Sequence, residues 1–177
     1  IMKKSKFPGE KSIALLLDPD KASGESLFRL LGIAEQTGTD YIFAGGSVTF
    51  KSTGSLVDLV KKNCSLPVVL FPGNLLQLTD KADRILLLSL ISGRNPDLLI
   101  GNHVLAAPFL AESKQKIVPT GYILINCGSK TSVEYISQTE AIPSDKTDIV
   151  VATAMAGEML GLHMIYLEAG SGAERHV

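Results

Sequence analysis

The 177-residue chain has few cysteines, no excess of either charge and no long hydrophobic run. Each lack excludes something. Cys64 and Cys127 lie far apart and fit no metal-ligand spacing, so both read as buried small apolar residues. With a net charge of −1, no basic surface argues for nucleic acid. That balance leaves room for a local anion site, because backbone amides bind phosphate without Lys or Arg. His103, His163 and His176 are scattered and form no zinc pattern. Apolar runs such as Ile85–Leu88 are too short to span a bilayer. Lys3, Lys4 and Lys6 are not followed by the apolar core of a signal peptide. These features set the expectation of a cytoplasmic protein. Linkers and low-complexity tracts are missing too, which suggests one domain over residues 1–177.

What the chain does have is 45% apolar residues arranged in a strand–turn–helix rhythm. Ile13–Leu17 is a continuous apolar run, as in a parallel strand buried on both faces, and ends in Asp18-Pro19-Asp20. A helix follows over Glu25–Thr37, with Leu27, Leu30, Leu31 and Ala34 on one face and Gly38 at its end. Tyr41–Ala44 is a second strand, ending in Gly45-Gly46-Ser47, and Leu56–Lys62 a second helix with Leu56, Leu59 and Val60 inward. Val68–Leu70 and Ile85–Leu90 are the third and fourth strands. Asn95 and Pro96 suit the cap and first position of another helix. The fifth strand is either Ile117–Val118 or Tyr122–Ile125, the latter favoured. A helix over Asp148–Leu160 ends at Gly161, and Met164–Leu167 is the sixth strand.

Strands alternating with helices imply right-handed crossovers and a parallel sheet. Polar and glycine-rich residues cluster after each strand's C-terminal end. A TIM barrel gathers those ends on its catalytic face, and an open doubly wound sheet also binds ligands there, so periodicity alone leaves both open.

The motifs decide further. Leu17-Asp18-Pro19-Asp20-Lys21, Gly45-Gly46-Ser47, Phe71-Pro72-Gly73-Asn74, Ser89 to Pro96, Gly121 to Ile125 and Tyr166-Leu167-Glu168-Ala169-Gly170-Ser171-Gly172-Ala173 occur in this order. Together they resemble the geranylgeranylglyceryl phosphate synthase family, which includes the bacterial heptaprenylglyceryl phosphate synthases. Ser132–Ser137 is nearest to the bacterial branch. The resemblance implies an α/β fold, a (β/α)₈ TIM barrel with only about six βα units in this chain. Family members continue beyond Ala173 for two more units, so these residues read as a C-terminally incomplete barrel.

The resemblance also implies the chemistry: a prenyltransferase joining geranylgeranyl or a similar polyprenyl diphosphate to the C3 hydroxyl of sn-glycerol 1-phosphate. Asp18 matches the family's Mg²⁺ ligand, with Ser47 beside it; by composition alone Asp18-Pro19-Asp20 is a turn with an Asx cap. Asp20 is expected to cap the segment after it. Glu168 matches the general base that takes the hydroxyl proton. Tyr166, Leu167, Glu168, Ala169, Gly170, Ser171, Gly172 and Tyr122 match substrate-binding positions. Carboxylates and glycine amides would converge at one mouth, with Phe71 among the residues lining an apolar groove for the prenyl tail. Lys21 reads as solvated, and Arg94 as a structural partner of Asp97. The same resemblance implies a homo-oligomer with peripheral membrane contact. Two other readings remain: a sugar-phosphate isomerase or lyase on the same barrel, and an inactive scaffold.

Overall fold

A computed structural model of the protein describes residues 11–128, 130–170 and 173–177. It divides the chain into two compact units, Ile1–Leu86 with Glu112–Ile117, and Leu87–Ala111 with Val118–Val177.

The first unit runs β1 (Ala14–Leu17), α1 (Gly24–Gln36), β2 (Tyr41–Ala44), α2 (Thr53–Asn63), β3 (Val68–Leu70), a 3-10 turn at Leu75–Gln77, and the start of β4 (Arg84–Leu90). The pairings β1–β2, β2–β3 and β3–β4 are all parallel. The order never reverses, which is barrel-type winding; a doubly wound sheet reverses at its switch point. All residues of β2 and β3 are buried, as continuous apolar runs between two covered faces should be. Each Val or Leu so buried contributes roughly 1.5–3 kcal/mol. The same expectation fails for β1, where Leu16 is 47% exposed and only Leu17 is buried. Among the described residues β1 pairs with β2 alone, so its side chains have neighbours on one side.

Helix periodicity explains α1. Leu27, Leu31 and Ala34 are buried, and Leu30 is not. Three residues at 100° per residue fall 60° short of a full turn, which puts Leu30 on the flank of the apolar stripe. Gly38 stops the helix at φ +79°, and Thr39 N donates to Ala34 O at 3.2 Å. Helix α2 begins before Leu56 because the Ser52 hydroxyl caps it, accepting from Ser55 N at 3.2 Å. Its buried residues are Thr53, Leu56, Val57 and Val60, with Leu59 at the edge.

The second unit holds the rest of β4, a π-helical turn at Asp97–Gly101, α3 (Asn102–Glu112), most of β5 (Lys116–Asn126), α4 (Ser132–Ser137), β6 (Ile142–Pro143), α5 (Thr147–Met159) and β7 (Met164–Glu168). Asn95 caps the π turn as expected, its Oδ1 accepting from Asp97 N at 3.1 Å. Strand β5 contains both fifth-strand candidates. Pro119 between them lacks an N–H, yet its carbonyl accepts from His163 N at 2.8 Å, so the strand runs through it. β5 pairs in parallel with β7 along Thr120–Leu124 and with the short β6 at its tip. Periodicity alone does not reveal α4 and β6, so the sixth strand expected from sequence is β7.

Cys127 is buried with Ile123, Ile125 and Ile142. Cys64 corrects its expectation: it is partly exposed, at the C-cap of α2, where the chain has left the helix for an extended conformation. Neither cysteine is in a disulfide.

Candidate active site

In the first unit the polar residues stand directly after the strands. Asp18 follows β1 and folds into an Asx turn, its Oδ1 accepting from Asp20 N at 2.9 Å while its carbonyl accepts from Lys21 N and Ala22 N. Its Oδ2 faces Lys21 Nζ at 3.4 Å, and that lysine is 78% exposed. The turn expected from composition is therefore present, and among the described residues the other carboxylate oxygen accepts from no backbone donor. Asp20 does not cap the segment after it. Its carboxylate accepts from Phe50 N at 3.0 Å and Lys51 N at 2.8 Å, and Lys51 Nζ returns a bond to Asp20 O. Those two backbone N–H groups, with Lys51 and Lys21, hold its carboxyl below the usual range against a small opposing effect of burial. Thirty residues of separation hide this partner from any local pattern.

Gly45 and Gly73 bring the loops after β2 and β3 into contact. Gly45 has φ +153°, and a Cβ there would lie 1.9 Å from Phe71 O. A Cβ on Gly73 would lie 2.3 Å from Gly46 O and 2.9 Å from Ser47 Cα. The Asp18 carboxylate carbon lies 3.7 Å from the position a Gly46 Cβ would take, so Asp18 lies beside the loop that carries Ser47. Between the loops sits Gln77, a residue that no sequence pattern announces. Its Nε2 donates to Gly46 O at 2.6 Å, and its Oε1 accepts from Gly73 N at 3.2 Å and Gly46 N at 3.3 Å. Phe71 stacks on Phe43 with ring centroids 6.0 Å apart and is buried.

Among the described residues, no three His, Cys, Asp or Glu side chains gather into a group that could hold a metal. A single carboxylate can still serve Mg²⁺, which takes one or two protein carboxylates and fills its shell with water and phosphate oxygens.

The second unit builds on strands. Tyr122 on β5 and Tyr166 on β7 are register partners, and their rings stack at 5.6 Å and 19°. Glu168 ends β7 on the same strand face as Tyr166. Its Oε1 accepts from Gly170 N at 2.9 Å, and its charge acts on the nearby Tyr166 hydroxyl. Burial, then the nearby Glu168 carboxylate, push the Tyr166 hydroxyl up to about 12. Burial first, with Glu168 and Tyr166 adding to it, also raises Tyr122. The Leu167 side chain points to the opposite face and is 45% exposed, so its backbone is what it can offer this site. Ala169 is half-buried and Gly170 buried. Ser171 and Gly172 lie outside the described residues.

Gly170, at φ +89°, backs onto Thr131: a Cβ would lie 2.5 Å from Thr131 Oγ1 and Cγ2. Thr131 precedes α4, and its N–H donates to Glu134 Oε2 at 3.0 Å. The Thr131-x-x-Glu134 spacing is a capping-box pattern, a signal in the sequence that marks the start of α4. Arg94 is exposed and donates to Gly93 O at 2.6 Å; among the described residues it forms no ion pair with Asp97.

The chain is similar to known proteins over nearly its whole length. The chain is 48% identical to the geranylgeranylglyceryl phosphate synthase of Spirosoma linguale, over 100% of this chain and 72% of the relative. It is 39% identical to the enzyme of that name from Korarchaeum cryptofilum, over 93% of this chain and 68% of the relative. Among solved structures it matches (S)-3-O-geranylgeranylglyceryl phosphate synthase of Thermoplasma acidophilum, crystallised with its substrate sn-glycerol-1-phosphate. That match has TM-score 0.88 and 30% identity, covering 96% of this chain and 68% of that one. The expected fold class therefore holds: α/β, with about six βα units of the barrel type. Residues 7–177 match the PcrB family, and the chain belongs to it.

Proposed function

We propose that the protein is a prenyltransferase that joins a polyprenyl diphosphate to the C3 hydroxyl of sn-glycerol 1-phosphate. The observation that carries this reading is Glu168. It is a carboxylate at a strand end, oriented by Gly170 N and close to the Tyr166 hydroxyl, in a chain close in sequence to enzymes of this name.

Glu168 accepts the hydroxyl proton as the C3 oxygen forms its bond to C1 of the prenyl chain. The bond from C1 to the diphosphate oxygen breaks, and diphosphate leaves with the electron pair. Gly170 N keeps the Glu168 carboxylate in one orientation throughout, with the Tyr166 hydroxyl close by. Tyr122 supports the Tyr166 ring by stacking. In the first unit, Asp18 and Ser47 would hold Mg²⁺, which when bound neutralises charge on the diphosphate. The exposed Lys21 stands against Asp18 and adds positive charge there.

Among the described residues no helix is long and apolar enough to cross a membrane. Peripheral contact with a membrane, self-association and a cytoplasmic setting belong to the same proposal. Apolar side chains left exposed on α3, among them Val104, Leu105 and Phe109, support self-association.

The test is transfer of labelled prenyl groups to glycerol 1-phosphate by the wild type, Asp18→Ala and Glu168→Gln. Loss of a general base costs about 10²–10⁴-fold in rate, and Glu168→Gln is expected within that range. Asp18→Ala should lose turnover with glycerol phosphate affinity retained. Full activity in both variants would refute the roles assigned to Asp18 and Glu168.

A further inference from the structure

We infer that Gln77 is a positioning residue, which sets the Gly46–Ser47 loop over Asp18 and so governs how well that loop binds a divalent cation. The inference rests on the reading of Asp18 and Ser47 as the metal-binding side of the proposed transferase.

Gln77 is 2% exposed and lies in a single 3-10 turn, Leu75–Gln77. Asn74 starts that turn, its Oδ1 accepting from Leu76 N at 2.9 Å. The carboxamide is used on both sides: one donor to Gly46 O, and one acceptor shared by Gly46 N and Gly73 N. It therefore grips both backbone groups of the residue before Ser47. It also grips the glycine whose close approach to Ser47 excludes any side chain. A primary amide of this length supplies a donor and an acceptor together at that position. Leu would supply neither, and Glu would keep the acceptor but turn the donor contact into oxygen facing oxygen. The loop has no helix or strand of its own between Ala44 and Thr53, so its shape depends on these contacts and on Asp20 holding Phe50 N and Lys51 N.

Outer supports of this kind typically change metal affinity by about 10–100-fold when removed. The test uses Mn²⁺ as the probe, followed by electron paramagnetic resonance without prenyl substrate, on wild type, Gln77→Leu and Gln77→Glu. Gln115→Leu serves as control. Gln115 is also buried in the first unit, and its amide donates to Thr79 O rather than to Gly46 or Gly73. All proteins are measured well below their own unfolding midpoints.

Both Gln77 variants are expected to weaken Mn²⁺ binding within that range and to raise KM for the prenyl diphosphate. Glycerol 1-phosphate affinity should stay unchanged. Gln115→Leu should lower the midpoint while leaving Mn²⁺ affinity intact. If Gln77→Leu does not fold, Gln77→Glu carries the test with its two retained contacts. Gln77 variants that bind Mn²⁺ as the wild type does, or no worse than Gln115→Leu, would overturn the positioning role while leaving the proposed reaction standing. A wild type that transfers prenyl groups but binds no Mn²⁺ would overturn the metal assignment and this role with it.

Discussion

The two units place polar groups at strand ends in different ways. In the first, the groups sit on loops, and the loops are held by glycines touching backbone and by one buried amide, Gln77. In the second, Tyr122, Tyr166 and Glu168 sit on the strands themselves, and the pleat and register aim them. A strand carries its side chains to a defined face with little further help. A loop needs long-range partners to hold one shape, and each partner is a point where it can be broken.

The sharpest test of this contrast is Gly45→Ala. The added methyl would meet Phe71 O, a backbone atom that no rotamer change can move, at an unfavourable φ. A loss of roughly 3–5 kcal/mol in denaturant unfolding is expected, at the upper end for single substitutions. Gly157→Ala in the second unit is the counterpart. There the methyl meets the flexible ends of Ile91 and Ile165 at 2.9 Å, and alanine favours the helix. The two effects oppose, so stability should stay within about 1 kcal/mol of wild type. Equal losses in the two variants would break the comparison.

Tyr166→Phe probes the strand-built site directly. It deletes the hydroxyl close to the Glu168 carboxylate, a polar interaction with a charged group worth up to about 1.5–3 kcal/mol, so turnover should fall about tenfold. The same variant has a signature in alkali. The folded hydroxyl ionises at about 12 against an ordinary 10.0, so it gives stability below pH 10 that is lost as pH rises toward 12. Urea unfolding across that window should be flatter in Tyr166→Phe than in wild type.

The smallest effect belongs to Asp83, where the first unit uses a charged side chain. Burial works to raise its carboxyl, but hydrogen bonds from Lys61 Nζ at 2.7 Å and Val68 N at 2.8 Å outweigh it and hold the carboxyl below its ordinary 3.8. The stability it supplies is full above pH 3.8 and lost as pH falls through the depressed value. Its side chain is partly exposed, so Asp83→Asn should flatten acid unfolding by under about 1 kcal/mol.

Much of the fold is legible from residues in sequence order. Tyr41–Ala44 and Val68–Leu70 are legible to the residue, because an apolar run bounded by turn residues has few other uses. Gly38 and Gly161 mark helix ends, and both adopt positive φ. Strand β5 looks like two candidates in sequence because Pro119 resembles a terminator; its missing N–H is harmless where the neighbouring strand needs only its carbonyl. Helix α4 is too short for periodicity to show, although Thr131 and Glu134 announce it. For the site, the residue identities at Asp18, Ser47, Tyr122, Tyr166 and Glu168 come from motif resemblance. The Tyr122–Tyr166 stack needs the β5–β7 register.

By itself the sequence determined the alternation of strands and helices, their caps and stops, and the polar character of the strand ends. Those depend on interactions within a few residues, which periodicity and turn chemistry expose. Only the tertiary structure decided that Asp20 serves Phe50 and Lys51, that Gly45 meets Phe71, and that Gln77 closes on Gly46. These contacts join residues about thirty positions apart or in the loops after different strands, and nothing in the local pattern of either partner encodes the other.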